Sequence, residues 1–180
     1  FLRHNGVREA AKRELDAMPR VVLVPGVGLF GVGRSVSAAQ IAADIAENTI
    51  RVVSDAEAIG TYQPVSEADM FDMEYWSLEQ AKLGKSKEPP LAGHVVLVTG
   101  AGSGIGAATA RAFHAEGAAT VLLDREGPAA AAIAAGFKDR GLALGCDVTD
   151  ASQVRAAFDR ACAAFGGIDL VVSNAGAAFQ

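Results

Sequence analysis

The chain has 180 residues, 51% of them apolar and 21% charged, with a net charge of −5. Such a chain can bury a core, which excludes wholesale disorder, and an acidic balance without a basic stripe argues against nucleic acid or an anionic membrane as partner. No apolar run approaches the roughly 18 residues of a membrane span, and Cys146 and Cys162 make neither a disulfide framework nor a zinc site, so a reduced, cytoplasmic setting is expected.

Residues 1–20 read as an amphipathic helix, with Val7, Ala10, Ala11 and Leu15 at helical spacing. Val21 to Val24 is a strand-like run. Gly26, Gly28 and Gly31 follow it and satisfy G-x-G-x-x-G, but they alternate with Val27, Leu29, Phe30 and Val32. No acidic residue ends a following strand, so a tight hairpin is the better reading. A helix is expected from about Ser37 to Val53, capped by Ser35 or Ser37, with Ile41, Ile45, Thr49 and Val52 on one face. A turn near Gly60 to Pro64 precedes a short helix opened by Ser66. A second starts at Ser77, where Ser77 and Gln80 have capping-box spacing. Met70, Phe71, Met73, Tyr75 and Trp76 cluster here and are expected to pack against another domain or subunit. Residues 84–93, with adjacent Pro89 and Pro90, read as a linker between an N-terminal segment (1–83) and a second region (91–180).

After the linker, apolar runs and helical patterns alternate. Val95–Thr99, Ala118–Asp124, Leu142–Cys146 and Ile168–Ser173 read as strands. Gly104–Glu116, Gly127–Arg140 and Ser152–Phe165 read as helices. Continuous apolar strands separated by 10–15-residue helices predict an α/β fold with a parallel sheet covered on both faces, here the first half of a doubly wound (Rossmann) sheet. A small α+β segment with a hairpin and helices precedes it.

The chemistry concentrates in the turn after Val95–Thr99. Gly100 lets the chain reverse sharply, Gly104 lets a diphosphate approach the backbone, and Gly106 lets the helix lie close to its strand. The helix N-terminus at Ile105 offers unpaired N–H groups and the positive end of its dipole to a diphosphate, and Ser103 can add a hydroxyl. Asp124, 18 residues after Gly106, ends the next strand, where a carboxylate can accept both hydroxyls of an adenosine ribose. A carboxylate there repels a 2′-phosphate, which favours NAD over NADP; the adjacent Arg125 tempers that preference.

Thr99-Gly100-Ala101-Gly102-Ser103-Gly104-Ile105-Gly106 resembles the T-G-x-x-x-G-x-G motif of the short-chain dehydrogenases/reductases. Cys146-Asp147-Val148 resembles that family's D-V pair, which implies Asp147 on the adenine amino group and Val148 against the ring. Asn174-Ala175-Gly176 resembles its N-A-G motif beside the adenosine ribose, with Ser173 in place of the Asn that often precedes it. The resemblance spans residues 91–180 and implies hydride transfer between a nicotinamide and a small alcohol, aldehyde or carbonyl substrate. Residues 1–83 resemble the end of the aldolase region in bifunctional rhamnulose-1-phosphate aldolase/short-chain dehydrogenase proteins. Class II aldolases of this type often carry a zinc-binding His before a Gly in the corresponding strand. Val27 precedes Gly28 here, and His4, His94 and His114 lack metal-ligand spacing, so no metal site is expected.

The family's acid/base Tyr is followed four residues later by a Lys that favours phenolate. Four residues after Tyr62 is Ser66, and four after Tyr75 is Glu79, so no catalytic residue is assigned. The chain reads as a fragment of an NAD-dependent oxidoreductase that is inactive alone. Half a doubly wound sheet leaves a strand edge and helix faces uncovered, and pairing with further polypeptide or a second copy, a homo-oligomer, is expected. Two alternatives remain open: a non-catalytic nucleotide-binding or assembly module, and a sugar-phosphate aldolase fragment.

Overall fold

The computed structural model describes residues 1–5, 12–82 and 89–176. These described residues divide into two compact units, one drawn from the ranges 1–32 and 40–87, the other from the ranges 33–39 and 88–180.

In the first unit α1 covers Leu2–Asn5, and residues 12–17 are not helical, so the expected N-terminal helix is not continuous. Val7, Ala10 and Ala11 lie outside the described residues. Leu15 instead donates its backbone N–H to the Tyr75 hydroxyl at 3.2 Å, a partner 60 residues away that helical spacing does not reveal. Strands β1 (Val21–Val24) and β2 (Gly28–Gly31) form the expected antiparallel hairpin, with Val24 paired to Gly28. Gly26 sits in its turn at φ 75°, a conformation that suits glycine.

Helix α2 (Val36–Ile59), whose residues 40–59 belong to this unit, runs six residues past the expected end and buries none of its residues. Ser35, not Ser37, caps it: the Ser35 Oγ accepts from Ala38 N–H at 3.1 Å. Helix α3 (Glu67–Glu74) is capped by Ser66, whose Oγ accepts from Asp69 N–H at 3.1 Å. Helix α4 (Ser77–Lys82) forms without the expected capping box, because the Gln80 side chain bonds both backbone groups of Arg13. Phe71 and Tyr75 are buried and stack with centroids 4.5 Å apart, and Phe1 lies 5.2 Å from Tyr75. Met70, Met73 and Trp76 remain exposed. The aromatic cluster thus packs partly on its own unit.

The second unit is built on four parallel strands in the order β5-β4-β3-β6: β3 (Val95–Thr99), β4 (Ala119–Asp124), β5 (Gly141–Gly145) and β6 (Leu170–Val172). The predicted parallel sheet is therefore present, with β3 at its expected bounds and the ends of the other three strands shifted by at most two residues. Side chains alternate across it. Val96, Val98 and Leu122 meet Ala110 of α5 (Gly104–Ala115) and Ala130 and Ala134 of α6 (Gly127–Ala134). Val95, Leu97, Val121 and Leu123 face Ala157 and Ala161 of α7 (Ala151–Phe165). Alanine on the helices lets them approach strands of larger β-branched and leucine side chains.

The expected helix over 127–140 ends at Ala134. A 3-10 turn, Ala135–Arg140, replaces its second half, and Lys138 takes φ 53° inside it. That turn feeds Gly141 into the ladder opposite Thr120, a tertiary demand that overrides the periodic alanines. Part of the expected linker, residues 89–93, belongs to this unit: Leu91 N–H donates to Glu116 C=O at 2.9 Å, and its side chain packs on the core.

Candidate functional site

Because the strands are parallel, their C-terminal ends share one edge of the sheet. Thr99, Asp124, Gly145 and Val172 close the four strands, so every candidate residue named from the sequence ends or follows a strand at that edge. The chain turns from β3 outward to β4 and β5, then crosses back to β6 on the other side of β3. The glycine loop leaves β3 at this reversal, where open α/β sheets bind ligands.

Gly100 takes φ 66° and Gly104 φ 52°, both in the left-handed region that favours glycine. A Cβ on Gly106 would lie 2.1 Å from the Gly100 carbonyl oxygen, so the first turn of α5 fits against its strand only without a side chain. A Cβ on Gly104 would meet nothing within 4 Å. The space over Gly104 is open, as a cradle for a diphosphate requires. Ser103 stands at the N-cap, but its hydroxyl makes no capping bond. Among the described residues, the exposed N–H groups of Gly104 and Ile105 have no acceptor. The Ile105 side chain is 79% exposed beside them. The loop therefore offers a hydroxyl, two amides and a helix dipole to an anion. These residues fit a dinucleotide's diphosphate.

Asp124 is fixed by two backbone donors. Its Oδ2 accepts from Gly102 N–H at 2.7 Å and its Oδ1 from Glu126 N–H at 2.9 Å. Each oxygen keeps a lone pair for a ribose hydroxyl. Arg125 follows and is exposed. The sequence reading missed Gly102, which ties the loop to the acid. A Cβ there would sit 2.8 Å from the Asp124 Oδ2, a crowding that motif spacing alone does not show.

Asp147 follows β5. Its Oδ1 accepts from both the N–H and the hydroxyl of Thr149, at 2.9 and 2.7 Å. These bonds hold its carboxyl below the usual carboxylate range. Val148 next to it is 43% exposed, an apolar surface facing solvent. Asp150 caps α7 and is pulled down to about 2, chiefly by the side chains of Ser152 and Gln153. Burial, followed by the charge of Asp147, pushes the Cys146 thiol up, which disfavours its thiolate.

Asn174 follows β6 and points its amide back. Its Nδ2 donates to the carbonyls of Thr99 at 2.9 Å and Gly100 at 3.3 Å. The Thr99 hydroxyl accepts from the N–H groups of Asn174 and Ala175 at 3.0 and 2.9 Å. Asn174 thus ties the end of β6 to the glycine loop. Ala175 lines the same place, since a Cβ on Gly100 would lie 2.9 Å from its Cα; Gly176 is exposed beyond it. Thr99, which the sequence reading left without a role, is the hub of this joint.

Among the described residues, no group of three His, Cys, Asp or Glu side chains could hold a metal ion, and no helix is long and apolar enough to cross a membrane.

Residues 94–180 match the family model of short chain dehydrogenase, and residues 1–83 match that of aldolase class II, second domain. The C-terminal region is thus similar to the short-chain dehydrogenases, and the region ahead of it to the second domain of class II aldolases. An uncharacterized oxidoreductase of Bacillus subtilis, YuxG, is 37% identical over 169 residues, covering 91% of this chain and 24% of that protein. D-threitol dehydrogenase of Mycolicibacterium smegmatis is 50% identical over 91 residues, 49% of this chain and 35% of that protein. The crystal structure of 3-ketoacyl-(acyl-carrier-protein) reductase from Brucella melitensis complexed with NADH is 40% identical, covering 47% of this chain and 35% of that one with a TM-score of 0.46. The chain thus spans about a quarter to a third of the length of these relatives.

Proposed function

We propose that residues 91–180 bind the adenosine-diphosphate part of NAD, and that the protein to which they belong is an oxidoreductase. It would move a hydride between the nicotinamide and a small alcohol, aldehyde or carbonyl substrate. The observation that carries this reading is the pairing of two groups at one sheet edge. One is an open, donor-bearing helix start at Gly104 and Ile105. The other is a carboxylate, Asp124, held by two backbone amides with lone pairs to spare. The first suits a diphosphate and the second a ribose diol. When bound, the dinucleotide supplies the hydride acceptor or donor. Asp147 and Val148 would meet the adenine, Asn174 to Gly176 would border the ribose, and Ser103 would add a donor to the diphosphate.

The negative charge of Asp124 disfavours a 2′-phosphate and supports NAD, with NADP binding more weakly through Arg125. A relative named for D-threitol, a small polyol, supports a small alcohol as substrate. None of the chain's own residues is assigned to catalysis, since neither tyrosine has a lysine four positions on. We place the protein in the cytoplasm, where the unpaired Cys146 and Cys162 stay reduced, and infer a homo-oligomer from the exposed Leu170 and Val171 on edge strand β6. An aldolase reading is less favoured, because Val27 stands where a zinc-binding His would precede Gly28.

Calorimetric titration with NAD and NADP tests the reading. The chain should bind NAD more tightly than NADP, and Asp124→Ala should weaken NAD by about tenfold or more, the loss of hydrogen bonds to a charged group. A folded chain that binds neither dinucleotide contradicts it.

A further inference from the structure

We infer that Gln153 is a positioning residue that sets how selectively the dinucleotide's purine is recognised, acting through Asp147; this rests on the dinucleotide reading above. The turn from Asp147 to Asp150 is closed by Asp150 N–H donating to the Asp147 carbonyl at 3.1 Å. On one side of it, Thr149 saturates the Asp147 Oδ1 with two bonds. The Oδ2 of Asp147 has no hydrogen bond among the described residues and is left to meet a ligand. On the other side, the Asp147 N–H donates to the Gln153 Oε1 at 3.0 Å. The Gln153 Nε2 in turn donates to the Asp150 Oδ2 at 2.9 Å. The Asp150 Oδ1 is occupied by the N–H and hydroxyl of Ser152, at 2.8 and 2.6 Å, as the cap of α7.

A continuous chain of bonds therefore runs from the first turn of α7 through Gln153 to the backbone of Asp147. Gln153 is not needed to cap the helix, because Asp150 does that with its own carboxylate. Its side chain folds back across the turn instead. The amide suits this place because one end must accept from an N–H while the other donates to a carboxylate; reversing it would set donor against donor and acceptor against acceptor. A carboxylate in its place keeps the first bond and sets like charge against Asp150. A purely apolar chain loses both.

The consequence falls on the ligand's six-position. A carboxylate held still accepts from an exocyclic amino group and repels a carbonyl oxygen. A carboxylate carried on a backbone that can shift, as that of Asp147 can once its N–H loses Gln153, discriminates less, because it can move away from the carbonyl. Gln153 should therefore affect the ratio of two affinities more than either alone. A role confined to the stability of α7 would weaken both ligands alike and leave the ratio untouched.

The test compares NAD with nicotinamide hypoxanthine dinucleotide, which carries a six-oxo group in place of the amino group. Both are titrated calorimetrically at pH 7 into the full chain, into Gln153→Met and into Gln153→Glu, with thermal unfolding recorded for each. We expect the unmodified chain to prefer NAD. Gln153→Met should narrow that preference by about threefold to tenfold, the weight of a lost hydrogen bond or two. Gln153→Glu should fall between the two, since it restores the acceptor for Asp147 N–H. A preference that is the same in all three folded proteins overturns the role of Gln153, as does an unmodified chain that binds NAD with no preference over the hypoxanthine form. A chain that binds neither ligand overturns the dinucleotide reading itself, and this inference with it.

Discussion

The two units of the chain bury side chains very differently. The second keeps Val96, Leu97, Val98, Val121 and Leu122 wholly from solvent. The first, among its described residues, buries only Phe71 and Tyr75, and its longest helix buries nothing. The difference follows from how each sequence distributes apolar residues. In β3 and β4 every position is apolar or nearly so, and such a strand is stable only with cover on both faces, which α5, α6 and α7 provide locally. In α2 the large residues Ile41, Ile45, Val52 and Ile59 lie along one exposed flank. Local sequence can thus specify a helix without specifying what it packs against. Stability should concentrate around the four-stranded sheet, where the candidate site also lies.

Three perturbations probe this contrast. The largest effect is expected from Gly106→Ala. Its methyl group would lie 2.1 Å from a backbone oxygen and 2.6 Å from the Asn174 Nδ2, so strand, loop and helix must all shift. We expect a loss of about 4 kcal/mol or more, together with dinucleotide binding, in denaturant unfolding and titration. A variant as stable as its parent would show that the loop is looser than described.

Next comes a matched pair. Leu122→Ala, in the central layer, should cost about 2–5 kcal/mol. Ile45→Ala, on the exposed flank of α2, should change stability by about 0.5 kcal/mol or less. Equal losses in urea unfolding would mean that α2 is covered and that the contrast between the units is wrong.

The smallest effect concerns pH. Burial, and then the charge of Arg140, push the His114 imidazole below its usual value against opposing effects of the Ala118 carbonyl and Asp139. The neutral ring stacks on Phe137 with centroids 4.1 Å apart. A lowered folded value means that the unfolded chain binds the proton more readily. Stability from this group is complete above about 6.5, the ordinary histidine value, and is lost as pH falls below it. The unfolding midpoint should drop between pH 7 and 5.5, and His114→Phe should flatten that slope. A slope unchanged in His114→Phe would assign it to other groups.

Much of the second unit was legible because its signals are local. An apolar run, a glycine turn and an alanine-rich helix follow one another within about thirty residues. The hairpin of β1 and β2 was legible for the same reason, since Gly26 and Gly28 mark the turn. What escaped depends on partners distant in sequence. Gln80 has the spacing of a capping box with Ser77, yet it bonds Arg13, 67 positions away. Thr99 reads as the polar end of a strand, and only the fold brings Asn174 and Ala175 onto its hydroxyl. Lys138 interrupts a helical pattern because Gly141 must reach β4 in register, a demand that no residue near Lys138 encodes. Within the candidate site, the glycines, Asp124, Asp147 and Asn174 stood out by spacing. Gly102, whose N–H bonds the Asp124 carboxylate, and Gln153, which bonds the backbone N–H of Asp147, did not.

The central claim is that this sheet edge receives a dinucleotide through the amides at the start of α5 and the carboxylate of Asp124. Amide chemical-shift mapping of the 15N-labelled chain during NAD titration addresses it residue by residue. The largest shifts are expected at Gly102 to Gly106, Asp124 to Glu126, Asp147 to Thr149 and Asn174 to Gly176, with residues 40–59 unmoved. Saturable shifts elsewhere, with Gly104, Ile105 and Asp124 silent, would contradict it.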